Sequence, residues 1–180
     1  MFVLFAIPLG IVLGYALGGR LDWLANVRFE WAWLAVGGLL VQVLLFSPLL
    51  SERIGSDLGA VVYVASTAAV LIAVVRNIRR LPALALVAIG AVSNLAAVIA
   101  NGGVMPTTAA ALATAGLSPA GGFSNSALTA DPRLAPLTDV YALPSGVPLA
   151  NVFSIGDVLI GIGIALVVAL GMRSGERPNR

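Results

Sequence analysis

Five apolar stretches, each close to the length a helix needs to cross a bilayer, constrain this chain more than any other feature. They run from Met1 to about Gly18, Trp31 to Leu50, Leu58 to Val75, Leu81 to Ala100 and about Ser154 to Met172; the only charge in them is Asp157, near the start of the last. With 59% apolar and 10% charged residues in 180, a soluble core could not enclose so much apolar surface, and lipid is the natural solvent. The expected fold is all-α: one polytopic membrane helix bundle of about five transmembrane helices. A long irregular segment, residues 101–153, precedes the last helix.

Arginine placement orients this bundle, because short loops rich in positive charge stay in the cytoplasm. Arg20, Arg28, Arg76, Arg79, Arg80, Arg173, Arg177 and Arg180 fall on one face, and only Arg53 and Arg133 on the other. The reading is a multi-pass protein of the cell membrane with its N-terminus outside, its C-terminus cytoplasmic and residues 101–153 extracytoplasmic. Met1-Phe-Val-Leu-Phe5 lacks the basic start of a secretion signal and no A-x-A cleavage pattern follows, so the first stretch reads as a retained helix. Trp23, Trp31 and Trp33 flank the first cytoplasmic connection, where indole rings anchor at the water interface.

The chain has no cysteine, histidine or lysine. Disulfides, thiolate metal sites and histidine bases are therefore excluded, and neither a metal nor a cofactor is implied. The arginines are dispersed rather than gathered in a patch, which argues against nucleic-acid binding. Gly10, Gly14 and Gly18, with Gly161, Ala165 and Ala169, form small-residue stripes that serve either packing within one bundle or a homo-oligomer.

Polar groups inside the spans are few: Gln42, Ser66, Thr67, Ser93 and Asn94, each expected to face a neighbouring helix or a wet cavity. Asn101-Gly-Gly-Val-Met-Pro106 reads as a helix stop, after which Thr107 can cap a short helix through Ala113 that ends near Gly116. Asn94, Asn101, Asn151 and Ser154 are the candidate ligand-binding groups at the outer end. Asp157 has two readings that can coexist: a site acid at the edge of the hydrocarbon, and the partner of Ser154 in a capping box. Asp139 is the acid that could share a proton with it, and Asp131 is a substitute in that role. The bland alternative for both is a solvated loop charge, an Asx turn or an ion pair with Arg133.

Asn94-Leu, Asn101-Gly-Gly-Val-Met-Pro106 and Asn151-Val-Phe-Ser-Ile-Gly-Asp157, with Gly18-Gly-Arg20, resemble domain of unknown function 5317, a family of small bacterial membrane proteins. The resemblance covers nearly the whole chain and implies a fold without an activity. Around Asn151 to Asp157 the chain also resembles the lipoprotein signal peptidases, membrane aspartyl proteases whose last span opens on a similar pattern. Their other catalytic acid lies at the end of the preceding helix, where this chain has Ser93-Asn-Leu-Ala-Ala-Val98 and no acid.

Two functions are thus expected of the outer end. One is binding of membrane lipid, a lipid-like ligand or a membrane-protein partner. The other is hydrolysis by Asp157 with Asp139.

Overall fold

The computed structural model describes residues 2–22, 26–118 and 126–174. It is mostly helical. A 3-10 turn, Phe2–Phe5, leads into α1 (Ala6–Ala16). Helix α2 (Ala32–Leu45) is followed by a single helical turn, Pro48–Ser51. Then come α3 (Ser56–Asn77), α4 (Leu84–Ala100), the short α5 (Ala109–Ala115) and α6 (Ile155–Ser174).

All five apolar stretches contain a helix, but local chemistry trims three of them below the length that hydropathy suggests. Pro48 cannot donate a backbone hydrogen bond and disfavours helix at Ser47, so the second stretch breaks there and restarts as one turn. The fourth, where Pro82 stands in the first turns, becomes regular only at Leu84. The first begins as a 3-10 turn and stops at Gly18, whose φ is +81°. Two helices, α3 and α6, are long and apolar enough to cross a membrane, while α1, α2 and α4 are apolar but shorter. At 1.5 Å per residue, the 22 residues of α3 reach about 33 Å and the 17 of α4 about 25 Å. Of the sequence's anchors and orienting charges, Trp23, Arg177 and Arg180 lie outside the described residues.

The extensive helix contacts run α2 with α3, α3 with α4, α4 with α6, and α6 with α1. Small residues make these crossings close. A Cβ on Gly10 would sit 2.7 Å from the Ala165 carbonyl oxygen, and one on Gly14 3.2 Å from the Met172 Cβ, so these two stripe glycines serve packing within the chain. The rising pairs Gly10 with Ala165 and Gly14 with Met172 make α1 and α6 parallel. Gly38 meets Ser66 and Val70 while Phe46 meets Tyr63, and Gly90 meets Ile160 while Gly163 meets Val87 and Ala83, so α2 against α3 and α4 against α6 are antiparallel.

These directions separate two ends. At one, Glu30 pairs with Arg76 at 2.7 Å and Arg80 at 2.6 Å, and the fully buried Asn77 exchanges hydrogen bonds with the Glu30 backbone. Arg20 N–H donates to the Met172 carbonyl at the same end.

The other end carries residues 101–153, and here the all-α expectation needs correcting. Four short strands are present: β1 (Met105–Thr107) pairs in parallel with β2 (Ser126–Leu128), and β3 (Tyr141–Ala142) pairs antiparallel with β4 (Val152–Phe153). The expected stop at Asn101 is present, with Gly102 and Gly103 at φ +74° and +91° and a Gly103 N–H to Val98 carbonyl bond of 2.8 Å. The cap of α5 is Thr108, not Thr107: its side chain accepts from Ala111 N–H at 3.1 Å, because Thr107 is committed to β1.

Crowding decides which glycines tolerate a side chain. A Cβ on Gly163 would lie 2.6 Å from Val87 Cγ2, whereas nothing lies within 4 Å of one on Gly37. Gly163→Val is expected to lower stability in detergent by about 1–3 kcal/mol, and Gly37→Ala to raise it by up to about 1 kcal/mol. Thermal or denaturant melts of the two variants against the parent check both signs.

Candidate functional site

The start of α6 is built by a reciprocal cap. Ser154 Oγ accepts from Asp157 N–H at 3.1 Å, and Asp157 Oδ2 accepts from Ser154 N–H at 3.0 Å, as the serine-to-acid spacing of three residues predicts. The aspartate also adds negative charge where the helix dipole favours it. Asn94 on α4 closes the group: its Nδ2 donates to Asp157 Oδ1 at 2.8 Å, and its Oδ1 accepts from Ser154 Oγ at 2.8 Å. Gly156 is required here, since a Cβ would collide with the Asn94 amide. Ser154 is fully buried and the other two are partly so. Capping geometry is therefore present, and it includes Asn94, one of the two polar side chains of α4 expected to face a neighbouring helix or a wet cavity.

Asp139 is brought into this region by long-range pairing. It is only 6% exposed. Its backbone N–H donates to the Pro106 carbonyl at 2.9 Å, and its carbonyl accepts from Thr107 Oγ1 at 2.9 Å, which fixes it beside β1. Its Oδ2 accepts from Ser126 Oγ at 2.9 Å, while Oδ1 is buried without a hydrogen-bond partner among the described residues. Burial first, and then the nearby negative charge of Asp157, push the Asp139 carboxyl up from 3.8 to about 6; the Ser126 hydrogen bond works against them.

The remaining candidates separate from this pair. Asn101 is a clamp: Nδ2 donates to the Ala97 carbonyl at 2.7 Å and the Arg133 carbonyl at 2.8 Å, and Oδ1 accepts from Arg133 N–H at 2.9 Å. Asn151 joins the β3–β4 hairpin by accepting from Leu143 N–H at 2.9 Å through its carbonyl. Asp131 is exposed, and no ion pair joins it to Arg133 among the described residues.

Ser126, Thr107 and Thr138 were not singled out as site groups from sequence, yet they surround Asp139, and Thr107 and Thr138 are among the buried polar residues. Tyr63 on α3 lies within electrostatic reach of both acids and was also missed. A polar residue in a loop that is nearly free of charge was the only signal for the first three. No local pattern marks their partners.

The chain belongs to DUF5317, a family of unknown function, which matches residues 26–169. No curated protein and no solved structure matches it. The likeness of the last helix to lipoprotein signal peptidases thus has no support from these comparisons. The position that would match their other acid is Ala97 here, and it is Asn94, one turn earlier on α4, that bonds Asp157.

Ser154→Ala removes the helix cap and the hydroxyl that satisfies the Asn94 carbonyl. It is expected to lower stability by about 1–3 kcal/mol, measured by unfolding in detergent, with Ser154→Thr recovering most of the loss.

Proposed function

We propose that the chain is a multi-pass protein of the bacterial cytoplasmic membrane, and that its outer end binds a lipid-like ligand or a membrane-protein partner. The N-terminus and residues 101–153 are placed outside and the C-terminus in the cytoplasm. Outward-facing side chains on all the long helices support membrane insertion: Val12 is 64% exposed, Val43 67%, Val61 65%, Ile89 57% and Ile162 47%. Water would not tolerate such a continuous apolar surface, and lipid does. The 3-10 turn before α1 and the turn after α2 lengthen those two short spans, and a bilayer thins locally around helices that fall short. The Glu30, Arg76 and Arg80 cluster at the opposite end supports the inward assignment of that end.

One observation carries the ligand reading. An apolar groove of about 460 Å³ lies at the 101–153 end, lined by Ala60, Val61, Val64 and Ala65 of α3, Ile99 of α4, and Gly102 and Gly103. Its lining suits an acyl chain, and Val61 and Ile99 open it to the lipid side. Ala65→Trp would fill it. Native mass spectrometry is expected to find less retained lipid on this variant than on the parent, with an unchanged melting temperature; equal retention would remove the groove as the site.

Orientation is tested independently, and the absence of native cysteine makes the test clean. A cysteine replacing exposed Ser145 should react with an impermeant maleimide in intact cells, and one replacing exposed Arg79 only after lysis. The opposite pattern would invert the topology.

A hydrolase reading is favoured by one feature: burial and then the charge of Asp157 raise the Asp139 carboxyl, so that Asp139 holds a proton up to about pH 6. Any hydrolytic activity of the purified protein would have to disappear in Asp157→Asn. Activity that survives this change overturns the reading.

A further inference from the structure

Asp139 joins three pieces of the 101–153 segment. Its backbone is bonded to β1, its Oδ2 to Ser126 on β2, and it follows Thr138, whose fully buried hydroxyl donates to the Ala135 carbonyl at 2.8 Å. Its other oxygen, Oδ1, is sealed from solvent and unpartnered among the described residues. The groups acting on it are Asp157 from α6 and the positive amino terminus, while Tyr63 of α3 feels both acids. No arginine pairs with it among the described residues, whose ion pairs are Arg20 with Asp22 and Glu30 with Arg76 and Arg80.

A sealed carboxylate oxygen whose lone pairs meet no donor has room for one ligand, a proton. We propose that Asp139 is a proton-binding site that latches β1, β2 and residues 135–139 together over the helix ends, holding them closed when protonated and loosening them when ionised. The protonated form is a neutral group inside the packing of β1 and β2. The ionised form is a buried charge beside a second charge, which water can relieve only if the segment opens.

The sign follows from the carboxyl's position, about 6 folded against 3.8 for the ordinary group. Between these values the closed segment keeps a proton that the open one releases. Closure is therefore strongest below about pH 4, weakens as pH rises through about 6, and is constant above. This device goes beyond the ligand reading, and loss of lipid retention in the groove variant would leave it standing.

Hydrogen–deuterium exchange of the full chain in detergent tests it, with rates corrected for the intrinsic pH dependence of exchange. Peptides covering 105–118 and 137–143 should lose protection as pH rises from about 4 and level off near pH 6, while a peptide within 163–172 stays unchanged. Asp139→Asn should abolish the transition. Two further variants should move the levelling-off pH in opposite directions: Ser126→Ala upward, by removing the bond to the ionised form, and Asp157→Asn downward, by removing the neighbouring charge. A pH-independent parent, a transition that persists in Asp139→Asn, or levelling-off points that move together would each overturn the proposal. If Asp139→Asn does not fold, the opposed shifts decide.

Discussion

The hydrogen-bonded group of Asn94, Ser154 and Asp157 is the interaction on which the functional end depends. It fixes where α6 begins, binds that beginning to α4, and satisfies polar atoms that would otherwise be stranded between apolar helices. Buried in surroundings of low dielectric, such bonds are strong when complete and costly when broken. Gly90 and Gly156 let the two helices approach closely enough to form it. The 101–153 segment then returns to this point through β4, which leads directly into Ser154.

Elsewhere the same solution recurs: a side-chain amide near the end of a helix clamps the backbone of a distant loop. Asn77 holds Glu30 at the arginine end, and Asn101 holds Arg133 at the other. Between these polar ends, Gln42 donates to Thr67 and small residues carry the helix contacts. With so little polarity available, Gln42, Asn77, Asn94 and Asn101 each have a defined task. Asp139 Oδ1 and Ser93 Oγ are the exceptions among the described residues, buried without a hydrogen-bond partner.

Much of this was readable from the chain. Long apolar stretches located the helices, the spacing of Ser154 and Asp157 gave the cap, and Asn101-Gly-Gly gave the stop. Helix lengths were overstated because hydropathy continues through Pro48 and Pro82, where the backbone cannot. The antiparallel course of neighbouring helices also anticipated the meeting of Asn94 with the start of α6. Burial of Asp139 was not legible, because it comes from pairing with residues 32 positions earlier and 13 earlier, and no periodicity records such contacts. Asn77 was missed for the same reason, since its partner lies 47 residues away.

The central claim is that Asn94 and Asp157 act as one unit at the head of α6. A double-mutant cycle with Asn94→Ala and Asp157→Asn, followed by unfolding in detergent at constant pH, measures that directly. The account predicts a coupling energy of about 1–3 kcal/mol, with the double variant less destabilised than the sum of the single ones. Effects that add to within about 0.5 kcal/mol would contradict it and separate the helix cap from the α4 contact.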